Sequence, residues 1–128
     1  LILTIPQLAT NIIALIGEKR RQGYPIENIG FVDREKLANC YKQSEYVIFP
    51  SLTESLGLGL AEAIDGGCKV IGADLPYTYQ VCEPSLTFDP NSRADIANAI
   101  IRAVTEELTP TKKIIENDIN ELISLIVS

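Results

Sequence analysis

The chain has 128 residues, with 17 acidic against 11 basic side chains and a formal net charge of −6. That length suits one domain around one core, and an acidic chain without a basic cluster excludes a nucleic-acid surface. With no histidine and no C-x-x-C pair, Cys40, Cys68 and Cys82 form no structural zinc site and read as reduced, partly buried thiols of a cytosolic protein.

Leu1–Ile5 reads as a strand with nothing before it, and the chain contains no methionine. The expectation is a piece of a longer polypeptide: residues 1–128 as a single domain, truncated at its N-terminal edge. Helical spacing of Leu8, Ile12, Leu15 and Ile16 predicts a helix over Gln7–Arg21, ended by Gly23 and Pro25. Asn28–Val32 is a second strand, and Asp33 can cap a helix with Leu37, Ala38 and Tyr41 on its inner face. Tyr46–Pro50 is apolar throughout, which predicts a parallel strand covered on both faces. A helix over Ser55–Asp65 stops at Gly66-Gly67, where glycine supplies the left-handed conformation of helix ends.

Cys68–Gly72 is a fourth strand, Tyr77–Cys82 a short helix and Ser85–Phe88 a fifth strand. Ser92 and Asp95 resemble a capping box for a helix over 93–107, with Ala97, Ile100, Ile101 and Val104 facing inward. Thr109-Pro110 restarts a helix whose stripe of Ile115, Ile119, Leu122, Ile123 and Ile126 is expected to pack on the domain's own core. No run approaches the roughly 18 apolar residues of a membrane span. Strand and helix alternate, so the fold class is α/β: a Rossmann-like, doubly wound parallel sheet of about five to six strands. Ligands of such sheets bind beyond the carboxyl ends of the strands, here the loops after Val32, Pro50, Gly72 and Phe88.

Residues 50–63 read Pro-Ser-Leu-Thr-Glu-Ser-Leu-Gly-Leu-Gly-Leu-Ala-Glu-Ala, a buried strand running through a glycine-containing turn into a helix. The first N–H groups of a helix lack partners within it and carry the positive end of its dipole, so this turn is an anion site suited to a diphosphate. Gly57, without a Cβ, lets a ligand approach the backbone. Glu54 and Glu62 are eight residues apart, and at about 3.6 residues per turn they reach one face if Glu54 lies just before the helix. Carboxylates accept hydrogen bonds, so sugar and ribose hydroxyls are their natural targets. Gly57-Leu-Gly59 is no dinucleotide fingerprint, because Glu62 stands at the third glycine position.

The stretch resembles the donor-site signature of glycosyltransferase family 4, the "group 1" family of GT-B fold, which reads P-S-x-x-E-x-x-G-L-x-x-x-E-A, then a glycine, then an apolar V-I strand. Pro50, Ser51, Glu54, Gly57, Leu58, Glu62, Ala63, Gly67, Val70 and Ile71 fit it. The likeness runs back to Gly30-Phe31-Val32 and Glu35–Tyr41, and forward through Ala73–Pro76, Val81 and Phe88–Pro90, covering residues 27–104. Departures are Gly59 and Lys69 where the family often has proline, and Gln80 where it often has glutamate.

The resemblance implies that the chain is the nucleotide-sugar-binding C-terminal half of a GT-B enzyme, transferring a sugar from a nucleoside-diphosphate sugar with retention of configuration. It implies that Glu54 hydrogen-bonds the donor sugar and is the catalytic candidate. Backbone N–H groups at Gly57 and Leu58 would hold the sugar or diphosphate, Glu62 the ribose, and Val32 would lie near the base. Ser51 would shape the loop. No metal or cofactor is expected, since there is no Asp-x-Asp motif and GT-B enzymes generally work without one. The family's helping Arg and Lys would lie upstream of Leu1. The acceptor, a saccharide or lipid-linked group, would bind an N-terminal domain outside this chain, and the fragment alone would be inactive. Asp74–Tyr77 with Phe88–Pro90 resembles bacterial surface-polysaccharide (capsule) members, which work in the cytoplasm, often beside lipid-linked acceptors at the inner face of the membrane.

Three rivals remain. A GT-B nucleotide-sugar epimerase would need further ionisable groups, and none converge in the sequence. A receiver-like signalling domain would need acidic residues after the first strand and an aspartate after the third, where this chain has Ile5-Pro6 and Pro50-Ser51. An inactive nucleotide-binding scaffold subunit is opposed by the retention of both glutamates.

Overall fold

The computed structural model describes residues 1–115, which fall into two compact units, residues 1–37 and the chain from Ala38 onward. In the first unit, β1 (Ile2–Leu3) and β2 (Glu27–Asn28) pair in parallel, Ile2 with Glu27 and Leu3 with Asn28, joined by helix α1 (Thr10–Arg21). Lys19, Arg20 and Arg21 occupy the last turn of α1, where cations favour the dipole. The second strand was expected to run to Val32 and instead ends at Asn28. Its side chain takes over the ladder: Oδ1 accepts from Ile5 N–H at 2.8 Å and Nδ2 donates to Ile5 carbonyl at 3.0 Å. Gly30, at φ 68°, then turns the chain away. Asp33 caps α2 (Arg34–Gln43) as expected, Oδ1 accepting from Lys36 N–H at 2.8 Å.

In the second unit, β3 (Tyr46–Phe49), β4 (Lys69–Ala73) and β6 (Leu86–Phe88) form a parallel sheet in the order β3-β4-β6. Val47 stands beside Val70, and Ile71 beside Leu86. Helix α3 (Leu58–Asp65) connects β3 to β4. Between β4 and β6 lie α4 (Pro76–Val81) and the two-residue strand β5 (Cys82–Glu83), and α5 (Arg93–Thr105) follows. The core is Leu60, Val70, Ile71, Val81 and Phe88, closed by Ala99, Ala103 and Leu108. Such burial is the main source of stability, about 1.5–3 kcal/mol for each large apolar side chain.

The sheet is thus α/β with parallel strands alternating with helices, but the described strands form three small sheets, not one of five to six. β3 pairs with β4 alone among the described residues, and its side chains, which alternate between the two faces, are all half-buried and packed against the core. In α5, Ser92 caps by accepting from Asp95 N–H at 3.2 Å. Its buried stripe is Ala99 and Ala103 flanked by half-buried Ile96 and Ile100, while Ala97, Ile101 and Val104 are exposed. Small alanines let this helix lie close to the sheet, and that contact outweighs the larger side chains one position away.

The expected restart of a helix at Pro110 is also corrected. Lys112–Lys113 form β7, antiparallel to β5, because Thr111 Oγ1 accepts from Val70 N–H at 2.7 Å and holds the segment extended. Ile115 does pack against the core; Ile119, Leu122, Ile123 and Ile126 lie outside the described residues. No helix among those described is long and apolar enough to cross a membrane.

Candidate donor site

The loop between β3 and α3 opens at Pro50, where the apolar run ends, and carries Ser51 and Glu54 in irregular backbone. Helix α3 begins at Leu58, three residues later than expected, with Gly57 as its N-cap at φ 62° and ψ 31°. Glu54 therefore stands well outside the helix, and helical spacing does not relate it to Glu62. Glu62 lies on the second turn of α3, as expected. No side chain caps this helix, and its first turn holds no acidic residue. Leu60 and Ala61 N–H both turn back to the Gly57 carbonyl, at 3.0 and 3.1 Å. No side-chain acceptor or acidic group of the first turn offsets the positive end of the helix dipole.

Gly57 has a reason beyond ligand access. It is buried, and a Cβ there would meet Val81 Cγ2 at 2.7 Å. The left-handed backbone and the Val81 contact both demand glycine, so its missing Cβ makes room for α4. Leu58 is exposed beside it.

The two glutamates have different tyrosine neighbours. Burial first, then the charge of Glu62, then Cys68 and Cys40, raise the pKa of Tyr41 on α2. Burial likewise raises that of Tyr77 on α4, opposed by its hydrogen bond with Thr78 and reinforced by the charge of Glu54. Both phenols are held as neutral O–H donors at neutral pH. Val32, the candidate for the base, is half-buried in the N-terminal unit, just beyond Phe31, which is almost wholly exposed.

Sequence reasoning missed Tyr77. Its hydroxyl donates to the Ser51 carbonyl at 2.7 Å, while Ser51 Oγ donates to the Thr53 carbonyl at 2.9 Å. No periodicity separates Tyr77 from Tyr79 two residues on, whose hydroxyl bonds Asp74 on the surface at 2.6 Å. Among the described residues no cluster of three or more potential metal ligands occurs.

Residues 17–121 match the family described as glycosyl transferases group 1. A UDP-N-acetylglucosamine--peptide N-acetylglucosaminyltransferase GtfA subunit of Streptococcus agalactiae is 33% identical over an alignment of 82 residues that covers 59% of this chain. The chain spans 16% of that protein's length. With the family match running through most of the sequence, including all of residues 50–63, the chain belongs to the group 1 glycosyl transferases.

Proposed function

We propose that this chain is the donor-binding C-terminal domain of a retaining glycosyltransferase that moves a sugar from a nucleoside-diphosphate sugar to a saccharide or lipid-linked acceptor, in polysaccharide biosynthesis. The observation that carries this reading is the family match across a loop that delivers Glu54, Gly57 and Glu62 around an uncapped helix start. Departure of the diphosphate from the anomeric carbon builds negative charge, and preorganised N–H dipoles aimed at it lower the barrier. Glu62, on the second turn, is offered to the ribose, and Glu54, in the loop, to the sugar. Acceptor contacts and further positive groups belong to a second domain, so this chain alone binds nucleotide without transferring sugar. The activity is cytoplasmic.

A second reading of donor and acceptor follows from the streptococcal relative, whose name specifies UDP-N-acetylglucosamine and a peptide. On it, the donor is UDP-N-acetylglucosamine and the acceptor a polypeptide.

Ligand-detected NMR of the chain against millimolar UDP and GDP, repeated on Glu62→Ala, tests the shared part. Binding of one nucleotide, weakened about tenfold or more in the variant, is expected, as a hydrogen bond to a charged group contributes about 1.5–3 kcal/mol. EDTA should leave it unchanged. Binding that survives Glu62→Ala intact would sink the ribose assignment.

A further inference from the structure

Helix α4 is only six residues long, yet it meets the Glu54 loop at both ends. Near its start, the Tyr77 hydroxyl donates to the Ser51 carbonyl at 2.7 Å, and the Ser51 hydroxyl passes the connection on to the Thr53 carbonyl at 2.9 Å, one residue short of Glu54. At its end, Val81 fills the space left by the missing Cβ of Gly57, where the loop becomes α3. The helix itself is fixed. Thr78, fully buried, donates to the Ala73 carbonyl at the end of β4 at 2.7 Å. The Tyr77 ring meets Phe49, the last residue of β3, edge-on at 6.2 Å and 64°.

Burying a tyrosine ring needs no particular partner for its oxygen beyond one acceptor. Here the acceptor is a carbonyl of the one loop that carries a candidate catalytic carboxylate. The charge of Glu54 also adds to the raised pKa of Tyr77, after burial. Resting on the donor-site reading above, we propose that Tyr77 is a positioning residue, whose hydroxyl holds the loop through Ser51 and Thr53 and so aims Glu54 at the donor sugar. Val81 sets the other end of the loop by fixing Gly57. The start of α3 and Glu62 are anchored by the helix and its own core residues, Leu60 and Ala63, so they do not depend on this bond.

The test is Tyr77→Phe, which keeps the ring against Phe49 and deletes the hydroxyl. Tyr79→Phe, which loses the surface bond to Asp74 and an interaction with Thr87, both away from the loop, is the control. Affinities of the chain for UDP and for UDP-N-acetylglucosamine are compared, together with backbone order parameters from NMR relaxation. Tyr77→Phe should lower the backbone order parameters of residues 52–57 from about 0.85 towards 0.6 and leave β4 rigid. It should weaken the nucleotide sugar about fivefold, with UDP within twofold of wild type, as expected for one hydrogen bond acting on the sugar alone. Tyr79→Phe should change neither.

Equal weakening of both ligands, or of neither, would overturn the aiming of Glu54. Unchanged order parameters in the loop would overturn the tie itself, and that readout stands even if wild-type chain binds neither ligand, a result that would instead remove the donor-site reading. Should Tyr77→Phe fail to fold, Ser51→Ala cuts the second bond at the surface and should give the same sugar-selective loss; an unaltered sugar affinity there overturns the proposal.

Discussion

In residues 1–37 a two-residue parallel pair is continued by the side chain of Asn28, and Ile16 is the one buried apolar residue among those described. From Ala38 onward three strands carry a ladder of up to four residues, and Leu60, Val70, Ile71, Val81 and Phe88 are almost wholly removed from water. The sequence is apolar in both regions. Leu8, Ile12, Leu15 and Phe31 stand as exposed in the first unit as Leu52, Leu56 and Leu58 do in the donor loop. Helical periodicity therefore marks the face a helix offers, while stability follows the neighbours that cover it. The candidate donor loop is an irregular segment mounted on the better-covered unit, which is where a site needing fixed geometry is best placed.

The sharpest way to break this contrast is to shorten one leucine in each region. Leu60→Ala, at a fully buried position, should cost about 3 kcal/mol in urea denaturation, the transfer loss plus a cavity. Leu15→Ala, half-exposed on α1, should stay within about 0.5 kcal/mol. Comparable losses would mean that the first unit is as tightly covered as the second.

Two glycines in the same backbone region offer a finer comparison. Gly57 and Gly30 have φ of 62° and 68°. Alanine in that conformation costs about 1–2 kcal/mol wherever it stands. At Gly30 nothing lies within 4 Å of the new Cβ, whereas at Gly57 Val81 lies at 2.7 Å, and overpacking adds about 1–3 kcal/mol. Gly57→Ala should therefore destabilise by about 3 kcal/mol and Gly30→Ala by about 1 kcal/mol. Equal losses would show that the Val81 contact relaxes freely, and with it that α4 does not fix the start of α3.

Alkaline pH acts on the second unit too. Burial pushes the Cys82 thiol from 9.0 up to about 11, and raises Cys68, Tyr41 and Tyr77 in the same direction. A raised folded pKa means the unfolded chain loses its proton first, so this contribution to stability is complete below pH 9 and is lost as pH rises towards 11. The fall should be about 2 kcal/mol over that window. Cys82→Ala should flatten the slope, and an unchanged slope would place the titration elsewhere.

The sequence displayed the strands of the main sheet to within a residue or two, because the apolar run Tyr46–Phe49, the Val70-Ile71 pair and the alternating Leu86 and Phe88 stand between turn residues. Local capping chemistry was legible as well, at Asp33 and Ser92. The inward face of α5 was not: Ala97, Ala99 and Ala103 are alike in type, and only proximity to the sheet chooses among them. Nor was β7, since a helix-compatible Thr-Pro start was outweighed by the hydrogen bond that Thr111 accepts from Val70 N–H, on a strand 41 residues earlier. For the candidate site, the motif gave Glu62 its place on the second turn of α3. The position of Glu54 depends on an irregular loop and on Tyr77, whose bond to Ser51 spans 26 residues and leaves no periodic trace.

The smallest effect is expected where a side chain does the work of a strand. Asn28→Ala removes both hydrogen bonds to Ile5. Each intramolecular bond contributes about 1 kcal/mol where the region unfolds with the rest of the chain. A unit with a two-residue ladder can open alone, and then the loss appears locally and hardly at all in global unfolding. Asn28→Ala should shift the urea transition by less than about 0.5 kcal/mol, while exchange of the Ile5 amide quickens about tenfold. Asn28→Asp, which retains the acceptor at Oδ1 and loses the Nδ2 donor, should keep the Ile5 amide protected. A global loss approaching that of Leu60→Ala would show that the first unit unfolds together with the second. The Asn28 amide would then support the whole chain, including the loop that holds Glu54.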